Sequence, residues 1–200
     1  KVLQLLTRQI IDSGEIISSS MKILVELDFI HARARLAKVM QARLCPIRQG
    51  CELQLNKALN PELILNGKDV IPNDIAWDQS THVIIISGPN TGGKTVTLKT
   101  VGLMALMVRA GLFLPVEKGS HIPFYSEVYA DIGDEQSIEL SLSTFSAHIK
   151  KIIHIMDHAV SGSLILLDEL GIATDPQEGA SLAEAMLREL NDKGVTTLVS

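Results

Sequence analysis

Eight residues between an apolar run and a long helical pattern constrain this chain more than any other feature. Gly88-Pro89-Asn90-Thr91-Gly92-Gly93-Lys94-Thr95 fits G-x-x-x-x-G-K-[ST] at every position. The β-branched run Val83–Ile86 before it reads as a strand covered on both faces, and Lys94 to Ala110 after it reads as a helix. Strand, glycine-rich turn and helix in that order gather backbone N–H groups and a helix N-terminus around one point, an arrangement that suits phosphate oxygens. Lys94 would neutralise the β- and γ-phosphates, and the Thr95 hydroxyl would hold Mg²⁺. Residues Gly88 to Val96 are therefore the candidate nucleotide-binding segment, with ATP and Mg²⁺ as the implied ligands.

The remaining pattern agrees with such a loop. Phe113 to Val116, Glu127 to Ala130, Leu164–Leu167 and Thr196–Val199 read as strands. Thr144 to His158 reads as a helix with Ile149, Ile152, Ile153 and Met156 on its apolar face, and Pro176 to Asn191 as another with proline near its first turn. Alternating strands and helices predict an α/β fold with a mainly parallel sheet. Ahead of it, residues 1–43 read as helix, with Ser13-Gly14 a point of interruption and Ile17, Leu24, Leu27 and Ala34 at helical spacing. Pro46 forbids continuation, and residues 49–80 look irregular with short strands. The expected division is a helical piece, 1–48, and a phosphate-binding domain, 49–200. The chain opens without methionine and stops at Ser200 on a strand end, which predicts a domain cut short at its C-terminus.

Leu164–Leu167 also delivers an acid pair. Asp168 falls at the C-terminal end of that strand, where open α/β sheets place their ligands, and would orient Mg²⁺. Glu169 could accept a proton from attacking water. The plainer role, one or both acids capping the next segment, stays open. A kinase needs an acceptor site, whereas an acid beside the metal acid suits hydrolysis.

Taken in order, Gly88–Thr95 with Val96-Thr97-Leu98-Lys99, then Leu140-Ser141-Leu142-Ser143-Thr144-Phe145, then Leu167-Asp168-Glu169-Leu170-Gly171, resemble the ATPase domain of MutS proteins. The version here is most similar to the second bacterial lineage of that family, which lacks the mismatch-reading domain and usually ends in a small nuclease domain. Glu26-Leu27-Asp28-Phe29 is similar to the helix of the family's core (lever) domain. The resemblance implies an ABC-type P-loop NTPase that forms a homodimer around two nucleotides and moves arms that hold double-stranded or branched DNA, mostly through regions outside this chain. It implies that Ser143 reaches across to the partner's γ-phosphate, although Ser143 or Thr144 could also be a simple helix cap. It places Gln136 in a loop linking nucleotide to moving parts, and Val70 and Ile71 beside the adenine.

Three departures bear on this. Gly171-Ile172-Ala173-Thr174 has alanine where the family has glycine, and alanine cannot visit φ > 0 cheaply. The family's His-Pro is Asn60-Pro61 here, and its switch histidine would follow Ser200. The alternatives are therefore a nucleotide-gated clamp with little turnover, acting on DNA or on another polymer such as the ribosome, or an unrelated P-loop NTPase or kinase.

Charge and composition narrow the partners. Residues 1–48 carry a balance of +4 and residues 49–200 one of −9, a poor footprint for a polyanionic duplex in the second part. Aromatic residues at 4% argue against a base-stacking platform. Arg33, Arg35, Lys38, Arg43 and Arg48 could touch a nucleic-acid backbone or simply form a solvated face. His154 and His158, spaced i, i+4, lack the H-E-x-x-H acid, since Ile155 stands there. Cys45 and Cys51 read as reduced thiols, which with the absence of any ~20-residue apolar span predicts a cytoplasmic protein without a membrane segment.

Overall fold

The computed structural model describes residues 1–89, 93–133, 141–170 and 176–200, with the side chains of 141–148 and 176 outside the description. The chain divides into two compact units, Lys1–Val39 and Met40–Ser200. The division comes ahead of the expected 48/49 boundary because Arg43 pairs with Leu114, and β1 (Ile47–Arg48) pairs in parallel with β5 (Ile122–Pro123). Backbone hydrogen bonds thus tie residues 43–48 to the second unit.

The first unit is two helices, α1 (Val2–Asp12) and α2 (Gly14–Val39). The expected interruption falls at Ser13, whose N–H still donates to the Gln9 carbonyl at 3.2 Å. Helix α2 ends at Val39, short of residue 43. None of its residues is buried, and Ile17, Leu24 and Leu27 are exposed.

In the second unit, four strands form one all-parallel sheet in the order β4 (Val83–Ile85), β8 (Thr196–Val199), β7 (Ser163–Leu167), β6 (Glu127–Asp131). Every residue of β7 and β8 is buried, as near-continuous apolar strands in a sheet covered on both faces should be. Strand β4 differs from the expectation: among the described residues it pairs with β8 alone, and it is half-buried at Val83 and Ile84 and exposed at Ile85.

Alternation along β7 divides the core. Leu166 faces α4 (Lys94–Arg109), packed so closely that a Cβ on Gly102 would lie 2.5 Å from Leu166 Cδ1. Ile165 and Leu167 turn to the other face, with Ile155 and Ala159 from α5 (Ser141–His158) and its following residue, Leu190 from α6 (Pro176–Asp192), Val195 and Val199. Each such aliphatic side chain contributes about 1.5–3 kcal/mol on full burial. The face of α5 differs from expectation: Ile152 and Ile155 are buried, whereas Ile153 is 53% exposed. A stripe at i, i+3, i+7 through Ala159 explains why.

A smaller layer precedes the sheet. Strands β2 (Leu53–Ala58) and β3 (Asn73–Trp77) pair antiparallel, with the short helix α3 (Pro61–Leu65) between them. The expected strand Phe113 to Val116 is reduced to a single bridge at Leu114 with Arg43. Among the described residues, no helix is long and apolar enough to cross a membrane.

Candidate nucleotide-binding site

Strand β4 leads directly into the glycine-rich turn. The Ile86 N–H donates to the Val199 carbonyl at 2.8 Å, after which Gly88 (φ 148°) and Pro89 carry the chain, exposed, away from the sheet. Asn90, Thr91 and Gly92 lie outside the described residues. Gly93 returns at φ 79°, ψ 19°, as the N-cap of α4, and this left-handed conformation favours glycine. With no side chain at the cap, nothing from Gly93 satisfies the first N–H groups of the helix, which by helix geometry have no acceptor within it. Lys94, Thr95 and Val96 follow, all half-buried. The Lys94 side chain makes no hydrogen bond or ion pair among the described residues.

The acid pair sits on the same edge. In a parallel sheet the C-terminal ends of β4 and β7 face one way, and only β8 separates them, so the two segments open roughly 10 Å apart across the sheet. Asp168 is half-buried, its N–H donating to the Asp131 carbonyl at 2.9 Å and its carboxylate accepting from the Ser200 hydroxyl. The Ser200 N–H donates to the Leu167 carbonyl (3.0 Å), and the Glu169 N–H donates to the Ser200 carbonyl (3.2 Å). The end of β8 therefore grips both acids. Glu169 is exposed at φ 57°, a left-handed conformation that costs a non-glycine residue about 1–2 kcal/mol.

Asp131, at the end of β6, is 9% exposed and paired with Lys151 of α5 at 3.1 Å, tying that helix to the acid-bearing edge. Ser143 belongs to the first turn of α5, but its side chain, like those of Thr144 and Phe145, lies outside the described residues. Gln136 and Gly171 to Asp175, with Ala173 among them, lie outside them as well. Of the adenine candidates, Val70 is half-buried and Ile71 is 81% exposed.

Three residues here escaped sequence reasoning. Ser200 closes an apolar strand with a hydroxyl, a signal that was available. Lys151 gave none, because its partner is distant in sequence, and Asn60 was marked only by its departure from the family's His-Pro, which does not reveal its partners. Asn60 is 3% exposed, caps α3 by accepting from the Leu63 N–H, and bonds to α4.

The other candidates separate from the site. His154 and His158 stack with ring centroids 4.1 Å apart on the exposed face of α5. Among the described residues, no group of three or more His, Cys, Asp or Glu side chains could hold a metal. The basic residues divide between the units, and Arg43 and Arg48 are each 3.5 Å from an acid, Glu117 and Glu52. Cys45 and Cys51 are both buried free thiols, and the Cys51 thiol donates to the Gln79 carbonyl at 2.9 Å.

Comparison with known proteins converges on the same region. The family described as MutS domain V matches residues 84–200. Proteins named Endonuclease MutS2 are similar over most or all of the chain. That of Lactobacillus helveticus is 48% identical over 200 residues, covering 100% of this chain and 25% of the relative. The Lactobacillus johnsonii protein is 52% identical over 167 residues, covering 84% and 21%, and that of Bacillus cytotoxicus 43% identical over 200 residues, covering 100% and 25%. The chain thus spans about a quarter of the length of the curated relatives it matches.

Proposed function

On the premise that this chain belongs to the MutS family, we propose that residues 40–200 hold the ATP-binding and ATP-hydrolysing part of a DNA-acting protein. The observation that carries this reading is the convergence of a glycine-capped, lysine-bearing helix start and an acid pair on one edge of a parallel sheet, with a single strand between them among the described residues. The donor set fits Mg-ATP: the helix start and Lys94 suit phosphate oxygens, and a hydroxyl with a carboxylate suits a hard cation.

In this mechanism Gly88 to Val96 wraps the phosphates, with Lys94 supplying the compensating charge. Thr95 and Asp168 would hold Mg²⁺, which when bound neutralises phosphate charge. Glu169 takes the proton from water, and its strained backbone agrees with strain being concentrated at functional positions. Positioning and charge stabilisation do most of the work. Ser143, at the start of α5, would complete the site of a second subunit in an ABC-type homodimer, whose closure would move arms on double-stranded or branched DNA in repair or recombination control. A cytoplasmic setting is part of the same proposal, supported by the two unpaired buried thiols. Hydrolysis is favoured over transfer to a small acceptor by the family and by the second acid.

A clamp with little turnover is the second reading, motivated by Ala173. Steady-state hydrolysis and Mg-ATP affinity of the full-length protein decide between them. Lys94→Ala should weaken Mg-ATP binding at least about tenfold, the loss expected of one charge-assisted contact. Glu169→Gln should keep that affinity while lowering turnover about 10²–10⁴-fold. Unchanged affinity in the first variant removes the phosphate-loop assignment, and unchanged turnover in the second removes the base. Wild-type protein that binds Mg-ATP without hydrolysing it would establish the clamp.

A further inference from the structure

Asn60 stands at the start of α3, far in sequence from the phosphate loop, yet its side chain reaches the helix that the loop begins. Its Oδ1 accepts from the Leu63 N–H at 3.0 Å. Its Nδ2 donates to Thr100 Oγ1 at 2.9 Å and to the Val96 carbonyl at 3.5 Å. Thr100 Oγ1 itself donates to the Val96 carbonyl at 2.6 Å. Asn60 is 3% and Thr100 1% exposed, so water cannot replace these partners. A threonine inside a helix that bonds back four residues loosens or bends it, and here the amide of Asn60 joins that bond from outside.

Val96 directly follows Thr95, and its carbonyl is the acceptor on which both donors converge. We propose that Asn60 is a positioning residue for nucleotide binding: it holds the first turn of α4, and with it Lys94 and Thr95, in the orientation that receives the phosphates. Capping of α3 alone requires only Oδ1. The amide nitrogen has no part in that cap and is directed wholly at α4. The proposal rests on the nucleotide-binding reading above.

The test uses full-length protein and two variants that cut the link differently. Asn60→Ser keeps a capping oxygen for α3 but cannot span to α4, and Thr100→Val removes the acceptor with little change of shape. Each should raise the Kd for Mg-ATP about five- to tenfold, as loss of one buried hydrogen bond would. The double variant should be no weaker than the worse single one, because both break one connection. Amide exchange over residues 94–98 of the nucleotide-free protein should be faster in each single variant. Wild-type affinity and exchange in both variants, or a Kd loss that multiplies in the double, would overturn the proposal. Wild-type protein that does not bind Mg-ATP would bring down the nucleotide reading and this proposal together, a result distinct from normal binding in the variants alone.

Discussion

The hydroxyl of Ser200 donates to the carboxylate of Asp168, joining the end of β8 to the acid delivered by β7. Since β8 is also hydrogen-bonded to β4, this one residue stands between the glycine-rich turn and the acid pair. Ser200→Ala removes the donor that orients Asp168. The Mg²⁺ concentration for half-maximal hydrolysis should rise about three- to tenfold, while Ser200→Thr should stay near wild type. A magnesium titration of full-length protein checks this, and an unmoved midpoint in the alanine variant would show that the contact does not tune the acid.

Ser143 lies in the first turn of the helix that the Asp131–Lys151 pair fastens to the sheet edge. If it completes a partner's site, Ser143→Ala should weaken Mg-ATP-dependent dimerisation about tenfold in a Glu169→Gln background. Affinity for nucleotide at concentrations where the protein is monomeric should hardly change. Sedimentation with and without Mg-ATP gives the first quantity and fluorescence titration the second; equal losses in both would overturn the role in the partner's site.

Gly102 lets α4 rest on β7. A valine there drives side-chain atoms into Leu166, which is 1% exposed and has little room to yield. Overpacking of this kind costs about 1–3 kcal/mol, so Gly102→Val should lower the urea midpoint of the second unit with little change in slope. A midpoint equal to wild type would mean that helix and strand separate without penalty.

Burial raises the Cys45 thiol from 9.0 to about 11 and raises Cys51 chiefly for the same reason. The folded state therefore favours the protonated thiols, while unfolded chains ionise first as pH climbs. Their contribution to stability is complete below about pH 9 and declines towards pH 11. Denaturation at about pH 8 and about pH 10 should show a smaller alkaline loss in Cys45→Ala than in wild type. Equal losses would exclude the thiol as a source.

Local pattern was enough for the glycine that starts α4, for the helix from Lys94, and for β7 and β8, because each depends on neighbours a few residues away. The acid pair was legible for the same reason: an apolar run followed by Asp168-Glu169 needs no knowledge of other strands. The exposed side of β4, the outward turn of Ile153 and the loss of the strand at Phe113 to Val116 were not legible. They follow from which segment lies alongside, a choice made by distant parts of the chain.

What the sequence by itself determined was the kind of chemistry on offer, since loop, lysine, hydroxyl and carboxylates are set by residue identity and short spacing. Only the tertiary structure decided how these groups meet. Inserting β8 between β4 and β7 put Ser200 against Asp168, and folding α3 onto α4 put Asn60 against Val96. Both contacts depend on burial and pairing between segments dozens of residues apart, and no local propensity encodes them.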